Sequence, residues 1–182
     1  LDVPRHLSIK GKYFSSLEFP DRWGLTWIPC ALHKGKKLLK KYKPDVIWST
    51  SPIPSTHYIA QKLSSINNTL WVADYRDPFH YMNGSLGKSL DKLHRKIDVK
   101  TLTQASKLTF ATEQVRELYC QKYGELVRIK SSVIENGFDE SNFEKLQEMA
   151  AVSSPFSSEK FSLYYSGVLY KYGRDPVPIF KA

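Results

Sequence analysis

The sequence predicts an α/β fold with a parallel sheet and helices on both of its faces. Short apolar runs typical of strands alternate with longer segments whose apolar residues recur at helical spacing. The connections between the strand runs are long enough to hold a helix, as parallel neighbours require. The chain has 182 residues, of which 41% are hydrophobic, and this composition is that of a globular protein.

The first predicted element is an amphipathic and strongly basic helix. Its apolar residues run at helical spacing from Leu25 to Tyr42, and Gly35 weakens the middle of this stripe. Lysines occupy the rest of its surface, among them Lys34, Lys37, Lys40 and Lys41. This lysine face is either an ordinary solvated surface or a contact with an anionic membrane.

The first predicted strand of the sheet covers residues 45–49. Pro44 should end the preceding helix, and the run that follows it is apolar enough to be buried. Thr50 and Ser51 then begin a polar loop, and Ser55 is placed to cap the next helix. Strand, loop and helix thus form one βα unit.

The second predicted strand, at residues 69–73, leads directly into a turn crowded with charge. Asp74, Arg76 and Asp77 form this turn, and a long helix is predicted from about residues 86 to 104. The residues by themselves leave a structural interpretation open, in which Arg76 clamps an aspartate and fixes the loop.

Two further strands complete the predicted sheet, at residues 107–111 and 132–134. Thr112 is placed to cap the helix after the first of them, with Glu113 near the positive helix end. Ligands of parallel sheets bind outside the carboxyl ends of the strands. Besides the charged turn, this rule selects as candidate substrate-binding residues Thr50 with its neighbour Ser51, Thr112 with Glu113, and Asn136 with Gly137.

The last part of the chain is predicted to cross into a second domain. Residues 141–159 are polar and rich in serine and glutamate, and are interpreted as a short helix and a linker. Residues 160–166 are predicted to form a new strand that ends at Gly167. We therefore expect one domain at residues 1–152 and the start of another at 153–182. Both ends of the sequence are expected to be cut from a longer protein.

The composition restricts the partners. A formal net charge of +9 favours anionic partners such as phosphates, nucleic acid or an acidic membrane. Without a helix-turn-helix, RNP or zinc motif, nucleic-acid binding is supported by charge alone, and we expect no such partner.

Cys30 and Cys120 lack the spacing of a zinc site, so no metal is expected. No apolar run approaches the roughly 20 residues that span a bilayer.

Two weaker patterns have ordinary explanations. The segment at residues 83–89 is similar to a phosphate-binding loop, but Met82 stands where the first glycine should be. His57 and His80 are next to predicted strand ends and could act as acids or bases, yet neither has an identified partner in the sequence. We expect structural or surface roles for them.

Several motifs in one collinear order resemble those of a bacterial branch of the family 4 glycosyltransferases. The resemblance extends over residues 18–182, and the set of motifs is more specific than any single one. The motifs are KPDVIWSTSP at 43–52, ADYRDPF at 73–79, the helix opening Thr112–Glu113, VIENGFD at 133–139 and YSGVLY at 165–170.

The resemblance implies a GT-B fold, in which two Rossmann-like domains face each other across a cleft. The present chain would be a partial GT-B fold containing most of the acceptor-side, Rossmann-like domain. The parent enzyme would transfer a sugar from a nucleotide-sugar donor to a glycan or lipid-linked acceptor in cell-surface polysaccharide synthesis. It would retain the anomeric configuration and need no metal or cofactor besides the donor substrate. The two isolated cysteines fit a reducing cytoplasm, and a contact of the lysine face with an anionic membrane would place the enzyme peripherally at that membrane.

The resemblance also gives the charged turn a functional interpretation, with the catalytic residues Asp77, Asp74 and Arg76. Asp77, by a small margin over Asp74, would orient or deprotonate the acceptor hydroxyl, and Arg76 would hold the carboxylates or meet a phosphate. Gly167 would bind substrate at the start of the donor-side domain.

The chain departs from the family pattern in two respects, and these departures leave an alternative function open. No counterpart of the family's first strand and Gly-rich loop precedes Asp21, and its E-x7-E element would lie beyond Ala182. We therefore expect the chain to be inactive alone. The alternative is a non-catalytic Rossmann-like module that binds nucleotides or regulates a partner.

Overall fold

The fold consists of two compact units, Leu1–Gly137 and Phe138–Ala182. The domain boundary that the sequence predicts after residue 152 stays a prediction. The computed structural model describes residues 8–9, 12–13, 19–21, 24–79, 87–148, 156, 159–167, 169 and 175–181.

A four-stranded parallel sheet forms the centre of the first unit. Ahead of it, the short strands β1 (Ser8–Ile9) and β2 (Lys12–Tyr13) pair antiparallel. The main sheet contains β3, β4, β5 and β6 in chain order, and all neighbours are parallel. These strands are Val46–Thr50, Leu70–Tyr75, Lys107–Phe110 and Ser131–Val133, respectively. The predicted α/β class and parallel pairing are thus confirmed.

The helices alternate with these strands. None of those in the described part of the chain is long and apolar enough to cross a bilayer. The helices of the first unit are α1 (Gly24–Tyr42), α2 (Pro54–Asn67), α3 (Lys88–Gln104), α4 (Glu113–Tyr123) and α5 (Glu125–Lys130). The second unit contains α6 (Glu140–Glu148) and α7 (Val177–Lys181).

Helices α2, α3, α4 and α5 pack on one face of the sheet, and α1 packs on α2. Trp71 and Tyr75 point to this face and join the main core, together with Leu102 and Phe110. On the opposite face Trp48 is 54% exposed. The predicted helices on the second face are not found among the described residues. Because the strands follow one another in chain order, right-handed crossovers place successive helices on the same side.

A glycine brings α1 and α2 close together. Leu39 of α1 packs with Ile59 and Leu63 of α2 in a second, smaller core. A Cβ atom added at Gly35 would lie 2.5 Å from the Cδ1 atom of Leu63. The residue that weakens the predicted helix therefore permits the close approach of the two helices.

The start of α2 differs from the prediction, whereas that of α4 agrees with it. Ser55 is not the cap, because Pro54 begins the helix and the Ser55 side chain is buried within it. Its backbone N–H donates instead to the Asp21 carboxylate at 2.8 Å, since the first N–H groups of a helix have no partner inside it. Thr112 caps α4 as predicted, and its Oγ1 accepts from the Val115 N–H at 3.3 Å.

The second unit contains two helices but no strand among its described residues. The strand predicted at residues 160–166 is not formed, and Phe161 and Tyr164 are 92% and 75% exposed. A strand needs a neighbour that pairs with its backbone N–H and C=O groups. Within the second unit, the described residues include no strand that could pair with this segment.

Candidate functional site

The charged turn begins later than the sequence predicts. Asp74 is still part of β4, which ends at Tyr75, so the turn itself starts at Arg76. In the sheet, Asp74 is in register with Thr50 of β3 and Thr109 of β5. The carboxyl edge of the sheet therefore assembles side chains that are distant in sequence.

Asp74 is the buried centre of this edge, and its side chain is 2% exposed. Its Oδ1 accepts a hydrogen bond from the Thr109 hydroxyl at 2.7 Å. Its Oδ2 accepts from the Thr50 hydroxyl and from Arg76 Nε, both at 2.9 Å. Three donors from three different segments satisfy this buried charge, which burial would otherwise make costly. The structural interpretation of the turn, an arginine that clamps an aspartate, is thus correct for Asp74.

Arg76 links the turn to the loop after β6. One Nη atom donates to the Asn136 side-chain oxygen, while Nε is held by Asp74. The Arg76 side chain is nevertheless 40% exposed. A guanidinium has further N–H groups, so its orientation is fixed while it can still meet an anion.

Ser51 ties the turn to the loop after β3. Its backbone N–H donates to the Asp74 carbonyl at 2.8 Å, and its hydroxyl donates to the Asp77 carbonyl, also at 2.8 Å. The Asp77 side chain is exposed, and within the described residues its carboxylate has no hydrogen bond or ion pair. The backbone of Asp77 is therefore anchored and its carboxylate is accessible.

The remaining candidates have other surroundings. Glu113 forms an ion pair with Arg116 at 2.6 Å, and Thr112 is engaged as the cap of α4. Gly137 is exposed, with open space where a Cβ would stand, and Gly167 belongs to the second unit. The contacts above bring together Thr50, Ser51, Asp74, Arg76, Asp77 and Asn136.

Thr109 is a residue of the edge that the sequence analysis missed. It lies between Leu108 and Phe110 in a strand whose other central residues are apolar, and it is buried. A buried hydroxyl needs a hydrogen-bond partner, and this one finds the Asp74 carboxylate. The polar residue inside an apolar run was the signal that could have identified it.

His57 lies in the core and not at the exposed edge. Its ring is fully buried and stacks on Phe79. Its Nδ1 shares a hydrogen bond of 2.7 Å with the Ser49 hydroxyl, and Trp71 Nε1 donates to that hydroxyl at 2.8 Å. Burial lowers the pKa of His57 from 6.5 to about 3, and the charge of Asp74 acts in the opposite direction. A neutral, enclosed imidazole suits a structural role, as expected.

No metal ligand set is formed by the residues that the structure describes, where three or more His, Cys, Asp or Glu side chains nowhere come together. Cys30 is exposed, Cys120 is buried, and both are free. His80 and the first part of the glycine-containing segment, residues 83–86, lie outside the described residues.

The comparison with protein families matches residues 2–142 to the model of Glycosyltransferase Family 4. A search of curated proteins finds no match. The matched region includes the whole parallel sheet and the polar residues at its carboxyl edge, and it covers well over half of the chain. The chain therefore belongs to glycosyltransferase family 4.

Proposed function

We propose that this chain forms the acceptor side of a transferase that moves a sugar from a nucleotide-sugar donor to a glycan or lipid-linked acceptor in cell-surface polysaccharide synthesis. Membership of the family supports the reaction type. The observation that carries the proposed site is the anchored turn with an accessible Asp77 carboxylate. The proposed enzyme works in the cytoplasm, retains anomeric configuration, and uses no metal or cofactor besides its donor.

In this proposal Asp77 meets the acceptor hydroxyl. During glycosyl transfer the sugar carbon gains positive character while the attacking hydroxyl loses its proton. An accessible carboxylate on a fixed backbone can orient that hydroxyl or accept its proton. In a retaining transferase the leaving phosphate can take the proton instead, and Asp77 would then only orient the acceptor.

The other two charged residues have different proposed roles. Asp74, buried under three hydrogen bonds, is a positioning residue that holds Arg76. The exposed guanidinium of Arg76 meets a phosphate of the substrate. Around them, the proposed substrate-binding residues are Thr50, Ser51, Thr112, Glu113, Asn136 and Gly137, with Gly167 on the donor side.

The test is a donor screen with the full-length protein, measured as release of nucleoside diphosphate. Asp77→Asn should lower turnover about 100-fold if the carboxylate is a general base. Asp45→Asn, at another exposed aspartate, is the matched control, and thermal melts verify folding. A folded Asp77→Asn variant with wild-type turnover would refute the role of Asp77. We expect the 182-residue chain alone to release no nucleotide.

A protein that binds nucleotides but releases no product with any donor would favour the alternative, a non-catalytic module. The same screen therefore separates the two functions. Binding is measured by the shift in melting temperature that each nucleotide sugar produces.

We further propose that the lysine face of α1 holds the parent enzyme at an anionic membrane. Lys34, Lys37, Lys40 and Lys41 are all exposed, and α1 contains no acidic residue. Lysines near an anionic surface contribute about 1 kcal/mol each. Changing all four to Gln should weaken co-sedimentation with anionic vesicles, with neutral vesicles as the control. Unchanged sedimentation would leave a solvated helix face.

A further inference from the structure

A groove lies between α1, α2 and α3, on residues that the proposed transfer does not use. Its volume is about 450 Å³, within the usual size of small-ligand sites. Apolar side chains from α1, α3 and the segment that precedes α1 line it. They are Phe19, Pro20, Ile28, Pro29, Leu93 and Ile97.

Lysines complete the lining of this groove. Lys62 comes from α2, and Lys96 and Lys100 lie one turn apart on α3, so they share one side of that helix. All three are exposed, and none has a carboxylate partner among the described residues. The groove therefore carries positive charge beside an apolar floor.

The helices around the groove supply little negative charge. Both α1 and α2 lack acidic residues. Of the two aspartates in α3, Asp98 is buried and accepts a hydrogen bond from the Tyr75 hydroxyl at 2.7 Å. Asp91 lies in the first turn of α3, more than two helical turns before Lys100. Lys62 Nζ lies 5.5 Å from the centre of the Tyr58 ring, so its charge meets an aromatic face and not a carboxylate. Acidic side chains of the described residues thus do not neutralise the three lysines.

The wall of the groove is fixed before any ligand arrives. The Pro20 carbonyl oxygen is 2.5 Å from His94 Nε2, and Asp21 holds the start of α2. Gly24 packs so tightly that an added Cβ would lie 2.0 Å from the Phe19 carbonyl oxygen. The groove is thus preformed, which lowers the cost of ordering it on binding.

We propose that this groove binds one anionic phospholipid of a membrane, with an acyl chain on the apolar floor and the phosphate at Lys62, Lys96 and Lys100. A free phosphate would leave the floor in contact with water, and an uncharged chain would leave the lysines without a counter-charge. This site is separate from the lysine face of α1 and from the chemistry at Asp77. The proposal predicts that binding depends on both the acyl chain and the charge of the lipid.

The first experiment uses vesicles of phosphatidylcholine with and without phosphatidylglycerol. Lys62, Lys96 and Lys100 are changed together to Gln, and the matched control changes the exposed Lys88, Lys92 and Lys107. We expect the groove variant to lower partitioning about tenfold or more and the control to lower it much less. Equal losses in the two variants would mean that total charge alone drives binding and would overturn the proposal.

The second experiment separates a lipid from a simple anion. Monomeric dihexanoyl phosphatidylglycerol should bind the chain in a calorimetric titration. The half-buried Leu93 also packs against the main core, so Leu93→Gln is checked for folding by thermal melt, and the folded variant should bind the lipid more weakly. The α1 variant with four Gln should bind the short lipid normally. Inorganic phosphate that binds as tightly as the lipid, or a folded Leu93→Gln variant with unchanged affinity, would overturn the lipid assignment.

Discussion

At the scale of single residues, the surroundings of Asp74 and Asp77 are opposite although the two are close in sequence. Asp74 is buried under three hydrogen bonds, and Asp77 is exposed with an accessible carboxylate. Asp74→Asn should therefore lower the free energy of unfolding by about 1–3 kcal/mol, because an amide cannot accept from all three donors as the carboxylate does. Asp77→Asn should change it by less than about 0.5 kcal/mol. Urea unfolding measures both, and similar values would contradict the assigned roles.

The buried ring of His57 gives the protein a specific dependence on pH. Its pKa is about 3 in the folded chain and 6.5 as the ordinary value. Between these values the unfolded chain binds a proton that the folded chain does not. The free energy of unfolding should therefore fall as the pH falls from 6.5 toward 3, by up to about 1.4 kcal/mol per pH unit from this group.

Comparison of two histidine variants isolates this effect. His57→Gln should show a shallower loss of melting temperature between pH 6.5 and 4 than wild type, even though its absolute stability is lower. His33→Gln, at an exposed position of α1, should keep the wild-type slope. A His57 variant with the wild-type slope would show that carboxyl groups alone cause the acid sensitivity.

At the scale of elements, the contact of α1 with α2 depends on Gly35. Gly35→Ala should destabilise the protein by about 1 kcal/mol, because crowding against Leu63 costs about 1–3 kcal/mol while the better helix former gains about 1 kcal/mol. In a Leu63→Ala background the same change should become stabilising, since the space is then open. A double-mutant cycle by urea unfolding measures this coupling, and the same effect in both backgrounds would contradict it.

The elements also show where sequence patterns succeed and fail. The extent of α1 and the Thr112 cap of α4 are predictable because they depend on local spacing and local hydrogen bonds. The cap of α2 is not predictable, because Asp21 reaches it from another part of the chain. The strand predicted at residues 160–166 is not formed, because pairing requires a neighbour.

At the scale of the whole molecule, stability should be concentrated in the two central strands of the sheet. Strands β4 and β5 each have neighbours on both sides, and most of their side chains are buried. Native-state hydrogen exchange should therefore be slowest for amides of these strands and fast for residues 161–167, which are exposed. Equal protection of the two segments would contradict this distribution.

The sequence by itself determines the α/β class, the parallel strands and the family, because alternating periodicities and collinear motifs are local properties of the chain. It also identifies most of the edge residues, since the carboxyl ends of parallel strands lie together. Only the tertiary structure decides which carboxylate is buried, that Thr109 joins Asp74, and that α1, α2 and α3 enclose a groove. These features arise from contacts between segments distant in sequence, and no local pattern encodes such contacts.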